Sequence, residues 1–153
     1  MPKSSSHTVP SASMSTFEGL TSLWMTPCRW TPPRMMRPET LHAVLAAQLA
    51  NRGPLTILTA TADDARGFGR VLRDPTRRVR AVVEEAHATR RQLALRELNA
   101  GVYCARPDWL WRELARLPAS PKGEYYLTDL VGVAVAQRRN VASVQLGDRK
   151  SVV

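Results

Sequence analysis

Cysteine is nearly absent from this chain of 153 residues: Cys28 and Cys104 are the only two, neither belongs to a C-x-x-C pair, and two thiols cannot close a four-ligand zinc site. Both read as free thiols. Histidine is almost as scarce, and His7, His42 and His87 stand too far apart to suggest a ligand set, so each reads as an ordinary surface or partly buried side chain. No apolar run approaches the roughly 20 residues of a membrane-crossing helix, and the start lacks the apolar block of a signal peptide. A soluble cytoplasmic protein with no membrane partner is the expectation. Aromatics make up 6% of the chain, and no strand is rich enough in them to stack bases. Acids are outnumbered, 13 against 22 Lys and Arg, for a net charge of +9. The excess is arginine scattered over Arg66, Arg70, Arg73, Arg77, Arg78, Arg80, Arg90, Arg91 and Arg96 with no recognisable nucleic-acid motif, so no nucleic-acid partner is expected.

What is present is 44% hydrophobic residues, enough to pack a core in one domain or in a piece of a larger one. Residues 1–36 differ from the rest: Ser, Thr, Pro and Met dominate, Glu18 is the only acid, and apolar periodicity is missing. That stretch is expected to be poorly ordered, and its low arginine content before Arg29 argues against a transit peptide. From Pro38 the pattern sharpens. Leu41, Val44, Leu45 and Leu49 recur at helical spacing and Gly53 stops them, LTILTAT (55–61) reads as a buried strand, and two alternating segments around Asp74-Pro75-Thr76 read as a hairpin. Helix formers fill 88–97, LNAGVYCA (98–105) reads as a strand, PDWLWRELARL (107–117) as a helix opened by Pro107 and Asp108, a further helix runs through Ala136, and VASVQL (141–146) is a last strand. Helices alternating with strands at this spacing predict an α/β layered fold with a mostly parallel sheet and one hairpin.

Ahead of the last helix stands KGEYYLTD (122–129), which crowds Glu124, Tyr125, Tyr126, Thr128 and Asp129 together where a helix start needs one capping oxygen. Taken singly, Gly67 and Gly69 are turn glycines, Glu84 is a solvated strand-end acid and Asn99 a turn former. Their order and spacing say more. RPETL, LTILTAT, GFGRVLRD, VVEEAHAT, LRELNAGVYCA and GEYYLTDLVGVA together resemble, over residues 37–146, the nucleotidyltransferase domain of the bacterial N-acetylglucosamine-1-phosphate uridyltransferases, bifunctional enzymes that make UDP-N-acetylglucosamine. The resemblance implies a Rossmann-like, GT-A-like three-layer nucleotidyltransferase fold, incomplete here. It implies that Gly69 lets the backbone approach the sugar phosphate, that Glu84 and Asn99 hydrogen-bond the amino-sugar, and that Tyr126 and Thr128 line the same pocket with Glu124 beside them. The partners it implies are UTP and N-acetylglucosamine-1-phosphate, with Mg²⁺ as the cofactor of the intact domain and the cytoplasm as the setting.

The chain departs from that pattern in two places. The family's Gly-rich nucleotide loop is not found, and its metal-holding aspartate falls by spacing at Pro32, which offers nothing to a hard cation. No catalytic residue and no metal ligand is therefore identified here, and activity is not expected of these residues alone. A reading shifted by one base across Trp24–Pro32 would encode an approximation of the missing segment, so 1–36 is expected to be a non-family, frameshifted stretch, 37–147 the C-terminal part of the nucleotidyltransferase domain, and 148–153 an artefactual or disordered tail. Ala86-His87 replaces a Lys-Asp pair frequent in the family. The alternatives left open are another sugar phosphate or molybdopterin as substrate, and, in a different class, a basic polyanion-binding module. The sequence leaves open the oligomeric state and whether the full gene has an acetyltransferase domain.

Overall fold

The computed structural model of the chain describes residues 37–120 and 123–146. Residues 1–36 and 147–153, and with them the expectations placed on Cys28, Pro32 and the tail, lie outside the described residues, as does Lys122.

The first element, α1 (Pro38–Ala50), opens with proline at its first turn and Glu39 beside the exposed amides, both favourable at a helix N-terminus. It ends at Asn51, whose side chain donates to the Leu55 carbonyl and accepts from the Gly53 amide and from Asn140. Gly53 is required there by close approach: a Cβ would sit 1.7 Å from the Asn140 carbonyl oxygen. The buried face of α1 is not the leucine stripe its spacing suggests. Val44 and Gln48 point inward, while Leu41, Leu45 and Leu49 stay exposed. The helix is apolar on most sides, so periodicity cannot choose a face, and hydrogen bonding does: Gln48 donates to the Gly53 carbonyl at 3.1 Å and accepts from the Thr56 hydroxyl at 2.7 Å.

β1 (Leu55–Thr61) is buried along all but its last residue. It lies inside a five-stranded sheet with β2 (Arg70–Arg73), β3 (Val79–Val83), β4 (Glu97–Ala105) and β5 (Val141–Gln145), in the order β3-β2-β4-β1-β5. Successive residues of a strand face opposite sides. Thr56 meets α1, whereas Leu55 and Ile57 join one apolar cluster with Trp109 of α3 (Pro107–Leu114) and Leu130, Val131 and Ala134 of α4 (Asp129–Ala136). Helices therefore cover both faces, which gives the layered α/β architecture expected.

The strand directions correct one part of that expectation, since only β1 and β5 pair in parallel and the sheet is mostly antiparallel. The reason is that β4 inserts between β1 and β2 and runs against both. Alternation of helix and strand along a chain does not specify which strands become neighbours. The expected hairpin is present as β2 and β3, joined across Asp74–Arg78, where Asp74 accepts from the Thr76 hydroxyl and from the amides of Thr76 and Arg78. The helix formers at 88–97 yield only one short turn, α2 (Arg90–Leu93), held by a capping box between Thr89 and Gln92.

The hairpin leans over the sheet so that β3 also lies beside β5, and Arg73 bridges Glu97 of β4 and Ser143 of β5, at 2.5 and 2.8 Å. Burial, the largest single influence, pushes the Glu97 carboxyl up, but the Arg73 hydrogen bonds, Thr59 and the charges of Arg73 and Arg77 together hold the group below its ordinary value. Val71, Val79 and Val82 of the hairpin complete the core beneath α4.

Candidate functional site

One irregularity in the central ladder builds the site. Ile57 pairs with Tyr103 and Thr59 with Asn99, so a single residue of β1 faces three of β4, a bulge with Gly101 at φ +74 in the left-handed region that glycine adopts readily. Four residues of extended strand span about 13 Å. The bulge folds that distance away, and the Asn99 Nδ2 donates to the Tyr103 hydroxyl at 2.7 Å, while Asn99 Oδ1 accepts from the Gly101 amide at 3.2 Å. The amide is thereby fixed in one orientation, with one N–H and one lone pair left over.

Next to it, the Asn99 amide donates to the Gly69 carbonyl at 2.9 Å, which ties the start of β2 to β4. Gly69 is buried, and a Cβ there would come within 2.9 Å of Val82 Cγ1 and 3.5 Å of Glu84 Oε2. Glu84 follows directly on β3, and its Oε1 accepts from the Thr128 hydroxyl at 2.9 Å, 44 residues away in sequence. Thr128 occupies the N-cap of α4 yet makes no side-chain cap: its backbone is already helical, at φ -61 and ψ -26, where a capping residue is extended, and its hydroxyl proton goes to Glu84. One of the crowded polar groups of GEYYLTD thus orients a carboxylate that follows another strand.

Tyr126 and Glu124 form the adjoining wall. The Tyr126 hydroxyl donates to Glu124, and this hydrogen bond, with smaller contributions from burial and the charges of Glu124 and Glu84, raises the phenol above its ordinary value. Tyr103 is also raised, chiefly by burial; the Asn99 hydrogen bond opposes this and the charge on Glu84 adds to it. Glu84 thus acts on both phenols, one from β4 and one from the loop. His87 packs edge-on against Tyr126, with ring centroids 5.5 Å apart. The glycine loop ahead of β2 is held from behind, since the buried Arg70 guanidinium donates to the carbonyls of Phe68 and Leu93 and the Gly67 amide donates to Glu85 at 2.5 Å.

The structure therefore brings Gly69, Glu84, Asn99 and Thr128 together and sets Tyr126 and Glu124 beside them. Sequence reasoning missed Tyr103, Arg70 and Glu85. A glycine inside a strand was the available signal for the bulge that recruits Tyr103; nothing local marks Arg70 or Glu85. Among the described residues there is no group of three or more His, Cys, Asp or Glu that could hold a metal ion. Among them, too, no helix is long and apolar enough to cross a membrane.

No protein-family model matches the chain. Among curated proteins it is similar to the bifunctional protein GlmU of Anaeromyxobacter sp. strain K, 43% identical over 113 residues that make up 73% of this chain and 23% of that protein. It is also similar to the bifunctional protein GlmU of Trichlorobacter lovleyi, 35% identical over 144 residues, or 94% of this chain and 31% of the relative. The same name belongs to a Heliobacterium modesticaldum relative 37% identical over 127 residues, 82% of this chain and 27% of that one. The chain spans about a quarter of the length of the curated relatives it matches. Among solved structures, a Bacillus anthracis protein assigned as a glucose-1-phosphate thymidylyltransferase superposes with a TM-score of 0.54 over 70% of this chain and 41% of that one, at 15% identity, a likeness of fold.

Proposed function

We propose that this chain, which carries part of a GlmU-like nucleotidyltransferase domain, supplies the sugar-phosphate side of a uridyltransferase. In the proposed reaction a phosphate oxygen of N-acetylglucosamine-1-phosphate attacks the α-phosphorus of UTP, the bond to the β-phosphate breaks, and UDP-N-acetylglucosamine and pyrophosphate result. The observation that carries the reading is the Thr128 to Glu84 hydrogen bond, which joins the start of α4 to the end of β3 and orients a carboxylate beside Gly69. A carboxylate so held accepts from the amide N–H of an N-acetylated sugar, and Asn99 has one donor and one acceptor free for the sugar's hydroxyls. A pocket built from such paired groups disfavours a sugar that lacks the matching group, because its own half-buried polar atoms would be left without partners.

The resemblance brings the sugar phosphate to the backbone at Gly69, where the lack of a side chain also lets Val82 and Glu84 pack close. The Mg²⁺ this chemistry employs neutralises phosphate charge. The family resemblance puts its ligands, like the nucleotide loop, outside residues 37–146, so turnover is expected only when those parts of a domain are supplied.

The test is calorimetric titration of the chain with N-acetylglucosamine-1-phosphate and with glucose-1-phosphate, beside Glu84→Gln and Asn99→Ala, followed by a pyrophosphate-release assay with UTP and Mg²⁺ on the chain fused to the nucleotide-binding part of a relative. Preferential binding of the N-acetylated sugar, lost in both variants, supports the proposal. Equal binding of both sugars, or variants that bind like the parent, would sink it. A second reading, a different sugar phosphate, is favoured by one observation: His87, which replaces an aspartate frequent in the family, packs on Tyr126 at the pocket wall. Tighter binding of glucose-1-phosphate would select that reading.

A further inference from the structure

Away from the sugar site, four arginines that look scattered in sequence come together. Arg78 and Arg80 from the start of β3 and Arg138 and Arg139 from the end of α4 line a cavity of about 250 Å³ with Asn140 and with valines of β3, α4 and β5. Among the described residues none of the four guanidinium groups has a carboxylate within ion-pair distance. Asp74, whose carboxyl is held below its ordinary value chiefly by the Thr76 hydroxyl and in small part by the charge of Arg80, is already engaged by Thr76 and the Arg78 amide in the hairpin turn.

A helix C-terminus attracts cations, which accounts for Arg138 and Arg139 but not for Arg78 and Arg80, which a separate element delivers to the same cavity. Backbone geometry adds to this. α4 closes with the Arg139 amide donating to Ala134 and the Arg138 amide to Val135, at 2.8 and 2.9 Å, the pattern that places glycine at the intervening left-handed position. Here that position is Arg138, at φ +56. A guanidinium is kept where the backbone favours glycine.

From this arrangement we infer an anion site that recognises a diphosphate group, distinct from the sugar pocket and independent of the function proposed above. Guanidinium forks match phosphoryl oxygens in pairs, and four of them exceed what one phosphate neutralises. The cavity has no aromatic side chain in its lining, so nothing in it stacks a base, and the diphosphate itself is the recognised chemistry, whether free or borne by a nucleotide.

Calorimetric titration of the full chain with inorganic pyrophosphate, UDP, inorganic phosphate and a short single-stranded oligonucleotide tests this, with Arg138→Gly and Arg78→Ser as variants. Arg138→Gly suits the left-handed position, so loss of binding in it cannot be ascribed to misfolding. The expected result is pyrophosphate binding well above phosphate, weakened about tenfold or more in each variant, and unchanged by saturating N-acetylglucosamine-1-phosphate. UDP tighter than pyrophosphate would identify the nucleotide as the source of the diphosphate, and UDP weaker would identify the free ion; both support the site. Variants that bind like the parent would overturn it, as would competition from the sugar phosphate or an oligonucleotide that pyrophosphate fails to displace.

Discussion

α4 and β3 lie side by side in opposite senses, and their two ends differ in charge and in how they hold it. At one end, where α4 begins and β3 stops, Glu84 is tied to Thr128, with Asn99, Tyr103 and Tyr126 around it. At the other, about 12 Å of helix away, Arg78, Arg80, Arg138 and Arg139 surround a cavity with no carboxylate in its lining. The polar end is a network in which nearly every group has a protein partner. The basic end is a set of like charges with few partners. A network of that kind is specific and stiff, because moving one group strands another. An unpaired cluster tolerates change and gains most when an anion enters. The two ends share one core, so they can be perturbed together or one at a time.

The largest effect is expected at what they share. Leu130 is fully buried in the apolar cluster beneath α4, and Leu130→Ala should cost about 2–5 kcal/mol and depress binding at both ends together. Chemical denaturation monitored beside both titrations would show it; loss of one ligand alone would mean that the ends do not depend on a common scaffold. Gly69→Ala comes next. The new methyl would press on Val82 Cγ1 at 2.9 Å, and a buried β-branched neighbour has little room to yield, so a loss of about 1–3 kcal/mol is expected. Sugar-phosphate binding should fail in that variant while pyrophosphate binding survives.

Thr128→Val is a finer probe of the same end. The shape is kept and the hydrogen bond to Glu84 lost, for about 1 kcal/mol of stability. The carboxylate should lose its orientation, so sugar affinity should fall by more than the stability does. An unchanged affinity would show that Glu84 needs no partner to hold its place, and the contrast between a stiff end and a loose one would weaken.

How much of this was readable beforehand divides along the same line. β1, the hairpin, β5 and α4 follow from alternation and from Pro, Gly and Asp punctuation, because those signals are local. α1 was legible as a helix but not in its buried face, which a glutamine on Thr56 decides across the chain. The wedging of β4 between β1 and β2, which makes the sheet mostly antiparallel, is a long-range choice that periodicity cannot express. At the polar end Gly69, Glu84, Asn99 and Thr128 were found through the family resemblance that their order and spacing carry, since each alone reads as a turn, cap or strand-end residue. Tyr103 was missed because a bulge brings it to Asn99. The basic end was hidden altogether, since 57 positions of sequence lie between Arg80 and Arg138.

Ionisation gives a smaller test. The folded Tyr103 phenol titrates above its unfolded counterpart, mainly because it is buried. Below the ordinary tyrosine range, near 10, both states hold the proton and its stabilising contribution is complete. As pH rises above that value the unfolded chain releases the proton first, so stability should fall. Tyr103→Phe should be less sensitive in this alkaline window, measured as Tm from about pH 9 to pH 11. A parent whose Tm is flat across it would show that Tyr103 is solvated after all.

The smallest expected change lies at the basic end and has the opposite sign. Arg138 pays a conformational cost at φ +56 that glycine would not, of order 1 kcal/mol. Arg138→Gly gives back part of that as extra flexibility of the unfolded chain. It also removes one of several like charges crowded round the cavity, which adds in the same direction. The sum should be a gain of a few tenths of a kcal/mol, on the order of a few degrees or less in Tm, beside a marked loss of pyrophosphate binding. Stability rising while affinity falls is what a residue retained for a ligand and not for the fold should do. If Arg138→Gly destabilises the chain instead, the guanidinium makes a structural contribution, and the two ends differ less than their charges suggest.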